Sequence, residues 1–173
     1  MNCDALEITP CVPTSNTPTL LMGTFLSWNC HGIRSKLKDL KGLISIFNPV
    51  CMGLQEIFLS STIPIKLRGY NSVPKDTATG SNHSGGVCIL TSNLYPSTPL
   101  TLHTSLQAVA VQDHARTLVT VCSVYLPPHD VISQQDLDTL MDQLPTPFIL
   151  SSGGKQVILH SSAKNSSESN VSV

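Results

Sequence analysis

Three polar residues that could act on a ligand stand at the ends of apolar, strand-like runs of the sequence. These residues are Asn29, Glu56 and Tyr125. An amide, a carboxylate and a phenol at such positions would sit at the rim of a sheet, where a ligand can bind. Each also has an ordinary interpretation, because Glu56 could be solvated or cap the next element, Asn29 could form a turn, and Tyr125 could simply pack in the sheet. Residue type and position alone leave both interpretations open.

Other groups that often carry chemistry lack the necessary spacing. No C-x-x-C pair exists, so neither a structural zinc site nor a redox motif is expected. Four cysteines lie in or beside apolar runs and are expected to be small buried thiols in a reducing compartment: Cys30, Cys51, Cys88 and Cys122. The loop histidines share no ligand spacing: His31, His83, His114 and His129. Ser84-Gly85-Gly86 indicates a turn rather than a phosphate cradle, and residues 151–155 lack P-loop spacing.

Composition limits the possible classes of protein. The 173 residues suit one domain with its own core, and a hydrophobic content of 40% excludes a disordered chain. Charged residues make up only 12%, and the net charge of −1 excludes a strongly basic nucleic-acid footprint in the bulk composition. No apolar run reaches the roughly 18 residues of a membrane span, so no membrane partner is expected. The first residues lack the pattern of a signal peptide, so an intracellular protein, nuclear or cytoplasmic and not secreted, is expected.

A strand–helix–strand unit must position the first two polar residues. The apolar run from Leu20 to Trp28 predicts a buried strand, and Ser35 is expected to cap a helix that ends at Asn48-Pro49. Residues 50–54 predict a second buried strand. The apolar residues between the two strands have helical spacing: Leu37, Leu40, Leu43, Ile44 and Phe47. A helix between two buried strands favours a parallel pair of strands joined by a crossover.

The rest of the chain predicts mainly strands, one further helix and two polar ends. Ser133 is expected to begin the second helix, and residues 113–116 are expected to form a hairpin turn. The predicted strands cover residues 69–73, 87–90, 106–112, 117–125 and 147–150. The expected organisation is a flexible leader (1–19), one domain (20–150) and a Ser-rich disordered tail (151–173), in which only residues 157–159 could form a strand.

Taken in order, the strand ends resemble those of a known superfamily. The W-N-x-x-G sequence at Trp28, the L-Q-E sequence ending at Glu56 and the S-V-Y-x-P-P sequence at Ser123 carry the resemblance. They are similar to the endonuclease/exonuclease/phosphatase superfamily, and within it to the apurinic-type endonuclease domain of jockey-like non-LTR retrotransposons. The resemblance implies an α/β fold that is part of a four-layer α/β sandwich, two mixed sheets between helices, with the second half missing. The match runs from about Leu20 to Leu150.

The resemblance also implies roles for the three polar residues. Glu56 matches the glutamate that binds a catalytic divalent ion, Mg²⁺ with Mn²⁺ as an alternative. Asn29 matches an asparagine beside the metal and the scissile phosphate, and Tyr125 matches an active-site tyrosine near the phosphate of a DNA substrate. The physical chemistry agrees, since Mg²⁺ prefers carboxylate oxygens, keeps several waters and polarises phosphoryl oxygens.

The departures from the family pattern predict a loss of activity. In the family, the strand equivalent to residues 148–150 runs into G-D-F-N, whereas this chain continues as Ser-Ser-Gly-Gly-Lys, and the final S-D-H motif is absent. The water-activating groups are therefore missing, which should leave little hydrolysis and only weak Mg²⁺ binding. The expected protein is a fragment of a retrotransposon endonuclease, whose full domain nicks DNA to prime reverse transcription.

Two alternatives remain open, and the truncation has a structural consequence. The chain could be a non-catalytic remnant that binds nucleic acid or protein, or another phosphodiesterase or phosphatase of the superfamily. A sequence that leaves the family pattern after Leu150 is expected to supply mainly the first sheet and the start of the second, leaving an apolar face uncovered. Nothing in the sequence indicates an oligomeric state.

Overall fold

Two sheets, each with one helix packed on it, form the described part of the protein. The computed structural model describes residues 23–59, 65–75, 85–115, 117–127, 132–152 and 155–157. The strands of the first sheet are β1 (Phe25–Asn29), β2 (Cys51–Gln55), β3 (Tyr70–Pro74) and β4 (Val87–Ser92), in the order β1-β2-β4-β3. The strands of the second sheet are β5 (Ser97–Leu100), β6 (Gln107–Asp113), β7 (Val119–Tyr125), β8 (Phe148–Ser152) and β9 (Lys155–Val157), in chain order. The helices are α1 (Ile33–Phe47) and α2 (Gln134–Asp142).

The predicted strand–helix–strand unit is present, with a different helix start. β1 and β2 are parallel neighbours, and α1 connects them. The helix begins at Ile33 after Gly32, so the prediction that Ser35 caps it is wrong, and the Ser35 hydroxyl instead donates a hydrogen bond to the Gly32 carbonyl (3.2 Å). The helix ends at Asn48 and Pro49 as predicted, and Asn48 adopts the left-handed conformation (φ 42°) that asparagine tolerates at a helix C-terminus.

Three apolar clusters divide the fold into four layers. One cluster joins α1 to the outer face of the first sheet and includes Leu40 and Met52. A second lies between the sheets and includes Ile89 and Val121. A third joins the outer face of the second sheet to α2 and includes Leu140. The layers are therefore α1, the first sheet, the second sheet and α2, which confirms the predicted class of two mixed sheets between helices.

The second sheet is larger than expected. Its five strands contradict the expectation that the chain supplies only the start of a second sheet, and β5 was not predicted. The inner faces of the two sheets cover each other, and every residue of β2 and β4 is buried. An uncovered apolar sheet face is therefore absent from the described residues, whose large exposed hydrophobic side chains lie on α1 and in loops: Leu37, Ile46, Phe58, Leu94 and Leu118.

The predicted segment boundaries need correction at the C-terminal side. β8 continues to Ser152 and pairs with β9 in antiparallel register, so the predicted boundary after Leu150 falls inside a strand. β9 shares only Val157 with the strand expected at residues 157–159, and residues 158 and 159 lie outside the described residues. Residues 1–22, which include the predicted leader and the start of the first predicted strand, and residues 158–173 lie outside the described residues. Neither α1 nor α2, the helices of the described residues, is long and apolar enough to cross a membrane.

The N-terminus of α2 provides a test of local stability. Ser133 caps the helix as predicted, because its hydroxyl accepts a hydrogen bond from the Asp136 amide (3.1 Å) while the Asp136 carboxylate accepts one from the Ser133 amide (3.3 Å). Replacing Ser133 by alanine should lower the free energy of unfolding by about 1 kcal/mol. Urea denaturation would measure the change. As a control, Ser45→Ala on the exposed side of α1 should cost nothing; equal losses at both sites would contradict the capping role.

Candidate active site

The three predicted site residues lie at one end of the two sheets. Asn29 is the last residue of β1 and pairs with Gln55, the last residue of β2, after which Glu56 follows directly. Tyr125 is the last residue of β7 and pairs with Gln107, the first residue of β6. We call this end of the sheets the rim. It is defined by Asn29, Glu56, Tyr125 and the Gly85-Gly86 pair described next.

Gly85 and Gly86 connect the two sheets at the rim. The Phe58 amide, two residues after Glu56, donates to the Gly85 carbonyl (3.0 Å), and the Gly86 amide donates to Oε1 of Gln107 (2.9 Å). A Cβ atom at Gly85 would lie 2.7 Å from Cε1 of Tyr125. The Tyr125 ring therefore packs directly on this backbone, and only glycine leaves room for it. Because the Gly86 amide is already bonded to Gln107, the pair is not a phosphate cradle.

His31 links Asn29 to Glu56. The His31 amide donates to Oδ1 of Asn29 (3.3 Å), and its Nδ1 contacts Oε2 of Glu56. The backbone supports the same arrangement, because the Gly32 amide donates to the Glu56 carbonyl (2.8 Å). The Glu56 side chain is 13% exposed, whereas the His31 side chain is 73% exposed. Glu56 is thus held at the rim by a solvent-exposed imidazole that a cation or a water could replace.

Left-handed backbone is concentrated at the rim. Among the described residues, positive φ angles occur at eight positions, and six of them lie at the rim: His31, Gly32, Glu56, Phe58, Gly85 and Gly86. For residues with a side chain this conformation costs on the order of 1 kcal/mol each, and such costs cluster at functional sites. The rim therefore has the backbone character of a functional site.

A buried polar contact joins the sheets directly beneath Glu56. Nε2 of Gln55 donates to the Ser123 hydroxyl (2.7 Å) in the other sheet and to the Ser27 hydroxyl (3.3 Å) in its own sheet. A Cβ at Gly53 would lie 2.9 Å from the hydroxyl oxygens of both Ser123 and Ser151, so the sheets approach closely here. Oε1 of Gln55 is buried and has no hydrogen-bond partner among the described residues. This contact fixes β2 against β7 and hence Glu56 relative to Tyr125.

The rim presents few groups that could hold a divalent metal ion such as Mg²⁺. Glu56 supplies one carboxylate and Asn29 one amide oxygen, which suits an ion that keeps several waters and takes its remaining ligands from a phosphate. The end of β8 lies at the rim as well, since Ser152 pairs with Val124, and it contributes a hydroxyl rather than a carboxylate. Within the described ranges no group of three or more His, Cys, Asp or Glu side chains could hold a metal.

The cysteines behave as predicted. Cys30, Cys51, Cys88 and Cys122 are buried and free. Burial raises the pKa of the Cys30, Cys88 and Cys122 thiols to about 12 and raises the pKa of Cys51 as well. These thiols are therefore unreactive in the folded protein. Of the other candidates, His114 lies beyond the opposite end of β6, while His83, Ser84 and His129 lie outside the described residues.

Several residues of the rim were missed at the level of sequence. Gln55 and Gln107 read as ordinary strand residues, and the Gly85-Gly86 pair read as a simple turn. Two consecutive glycines directly before a buried strand were the available signal, because they often mark a close approach of backbone to another group. Nothing in the sequence indicates that His31 contacts Glu56.

The fold matches that of known DNA-processing enzymes. The protein is similar to an AP endonuclease from Archaeoglobus fulgidus, with a TM-score of 0.51 and 18% identity over 74% of this chain and 55% of that one. It is also similar to the APE2 catalytic domain of Xenopus laevis, with a TM-score of 0.50 and 14% identity over 77% of this chain and 58% of that one. The protein therefore has the fold of these endonucleases, which confirms the predicted α/β class of two mixed sheets between helices.

The chain is also similar in sequence to a transposon-encoded protein. The chain is 25% identical over 128 residues to the probable RNA-directed DNA polymerase from transposon X-element of Drosophila melanogaster. The match covers 72% of this chain and 14% of the length of that relative. No family model matches the chain.

Proposed function

We propose that the chain is part of a DNA endonuclease of a jockey-like non-LTR retrotransposon, and that it binds Mg²⁺ and a DNA phosphate at the rim without cleaving the strand on its own. The convergence of Asn29, Glu56 and Tyr125, joined through His31 and Gly85, carries this proposal. The transposon relative and the superfamily fold support it. The protein would act on DNA inside the cell.

Each rim residue has a specific part in the proposal. Glu56 would hold Mg²⁺ (Mn²⁺ as an alternative) together with Oδ1 of Asn29. When bound, the ion would polarise the phosphoryl oxygen and stabilise the leaving 3′-oxygen. The phenol of Tyr125, set against Gly85, would orient the phosphate without adding negative charge. His31 would have to release Oε2 of Glu56 before the metal could use it.

Hydrolysis needs a group that the end of β8 does not supply. The family places an aspartate and an asparagine after this strand, whereas Ser151 and Ser152 stand here and are followed by Gly-Gly-Lys. A serine hydroxyl is not basic enough to activate water at neutral pH. General acid–base assistance is commonly worth about 10²–10⁴-fold and electrostatic stabilisation often contributes more, so their joint loss should leave little measurable hydrolysis.

A plasmid-nicking assay tests the predicted lack of hydrolysis. Supercoiled plasmid incubated with the protein and Mg²⁺ should remain supercoiled, at the level of a Glu56→Ala variant. Nicking that is robust in the natural sequence and abolished by Glu56→Ala would contradict the claim of inactivity, and it would show that other residues replace the missing aspartate.

Metal-dependent DNA binding tests the site itself. Mg²⁺ should tighten binding of a short duplex about fivefold, on the order of 1 kcal/mol, because an ion held by Glu56 would offset the repulsion between this carboxylate and a phosphate. Glu56→Gln should remove this gain, because the amide is uncharged and binds Mg²⁺ poorly. Fluorescence anisotropy with Mg²⁺ or with EDTA would measure both affinities. Asp138→Asn on α2 is the matched control and should keep the gain; an Mg²⁺ effect that survives Glu56→Gln would overturn the site.

A second candidate function is a nucleic-acid-binding remnant that needs no metal. The observation in its favour is that β8 contributes no carboxylate to the rim, which leaves Glu56 as a weak metal ligand. DNA binding of equal strength in Mg²⁺ and in EDTA, for both the natural sequence and Glu56→Gln, would favour this candidate.

A further inference from the structure

The two helices carry opposite charge on opposite sides of the sandwich. α1 contains four basic residues and one acidic residue, whereas α2 contains three aspartates and no basic residue. α1 packs on the first sheet and α2 on the second, so these charges face away from each other. The net charge of −1 conceals this separation, and it therefore gives no argument against a local polyanion-binding surface.

Three of the basic residues form one stripe along α1. Arg34, Lys38 and Lys41 are exposed and follow the spacing i, i+4, i+7, which places them on one face over a length of about 10 Å. None of the three forms an ion pair within the described ranges. The remaining basic residue, Lys36, is paired with Asp39 (3.8 Å). The stripe is a row of cations with no acidic residue in it.

Two further cations lie on the same side of the first sheet. Lys66 and Arg68 are exposed and line a shallow cavity of about 460 Å³ with Asn71 and Ser72. Their neighbours Ile65 and Leu67 pack in the apolar cluster that also contains the buried face of α1. Five cations that form no ion pair with the described residues therefore lie on this side of the first sheet. The acidic residue of α1, Asp39, is paired with Lys36.

The stripe begins next to the rim. α1 starts directly after Gly32, whose amide donates to the Glu56 carbonyl, so Arg34 lies within the first turn from the candidate site. We infer that the stripe of Arg34, Lys38 and Lys41 binds the phosphate backbone of duplex DNA and extends the contact away from the rim. This inference rests on the proposed function for the identity of the polyanion. A duplex carries a charge about every 3.4 Å along each strand, so several phosphates fall within the roughly 10 Å length of the stripe.

The salt dependence of DNA binding tests the inference. A triple variant, Arg34→Gln, Lys38→Gln and Lys41→Gln, should bind a 20-base-pair duplex more weakly, with the slope of log K against log salt reduced by about 2–3, because roughly 0.9 of a counterion is released per phosphate contact. The double variant Asp138→Asn and Asp142→Asn is the control on the opposite side and should not reduce the slope. Circular dichroism of each variant would verify that the fold is retained.

The outcomes separate this inference from the proposed function. An unchanged slope in the triple variant would overturn the inference, while the Mg²⁺ effect and its loss in Glu56→Gln would still support the rim. A natural chain that binds no DNA would overturn the inference as well. The α1 stripe could instead contact the acidic α2 of a second copy. Salt-sensitive self-association that the triple variant abolishes, with its DNA slope unchanged, would assign the stripe to that contact and overturn DNA binding.

Discussion

Replacing Gly85 by alanine is expected to lower the free energy of unfolding by about 2–4 kcal/mol. Two physical effects add. The φ angle of 88° lies in the left-handed region that residues with a Cβ rarely adopt, and the new Cβ would lie 2.7 Å from Cε1 of Tyr125. The Tyr125 ring or the backbone between Gly85 and Gly86 would have to move, and with it the bond from the Gly86 amide to Gln107.

A second glycine provides the matched control. Gly69 has a similar φ of 85°, but nothing lies within 4 Å of its Cβ position. Gly69→Ala should therefore cost only the backbone strain, about 1–2 kcal/mol. Urea denaturation of both variants would measure the difference, and Tyr125→Ala should rescue part of the loss in Gly85→Ala by removing the ring. Equal losses at Gly85 and Gly69, with no rescue, would show that Tyr125 does not pack on Gly85.

Replacing Asp113 by asparagine is expected to stabilise the protein at neutral pH by about 1 kcal/mol, because an unpartnered charged oxygen costs more to bury than the unpartnered amide nitrogen that would replace it. Asp113 ends β6 and is 1% exposed. Its Oδ1 accepts a hydrogen bond from the Ala115 amide (2.9 Å), and this bond lies in the predicted hairpin turn. Its Oδ2 has no hydrogen-bond partner among the described residues. A charge held there is poorly solvated, and asparagine keeps the Oδ1 bond without the charge.

The pH dependence of this effect has a defined sign. Burial raises the pKa of Asp113 above its ordinary value of 3.8, so the unfolded chain loses this proton at a lower pH than the folded protein does. The free energy of unfolding of the natural sequence should fall as pH rises from 3.8 through the raised pKa. Above that pH, the contribution of Asp113 to it should be constant. The advantage of Asp113→Asn should therefore be small at the acidic end and full at neutral pH. A gain in stability that does not depend on pH would mean that the Asp113 carboxylate does not cause it. As a control, Asp138→Asn at an exposed position should give no gain in stability.

The main layers of the fold could be predicted because their residues form continuous apolar patterns. The helical spacing of Leu40, Leu43, Ile44 and Phe47 between two apolar runs was sufficient to indicate α1 and the parallel pair β1–β2. β5 could not be predicted, because Ser-Thr-Pro-Leu is a short and polar edge segment whose strand conformation depends on pairing with β6. The extent of the second sheet was underestimated for the same reason.

The candidate site was only partly predictable. Asn29, Glu56 and Tyr125 follow strands whose ends carry recognisable motifs, so their common location was expected. Their support is tertiary: the bond from Gln55 to Ser123 spans 68 residues of sequence, and the packing of Tyr125 on Gly85 depends on how the two sheets stack. Neither contact follows from periodicity or from turn preferences. The basic stripe on α1 is visible in the sequence, but the net charge of −1 for the whole chain conceals it.

The buried cysteines give each of the three apolar clusters between the layers at least one chemical reporter. Cys30 and Cys88 lie in the cluster under α1, Cys51 lies between the sheets, and Cys122 lies in the cluster under α2. A buried thiol with a high pKa reacts only after it is exposed to solvent. The alkylation rate of each cysteine therefore measures how often its own apolar cluster opens. Peptide mass spectrometry after timed labelling would therefore resolve whether the α1 side, the interior or the α2 side separates first, without any introduced probe.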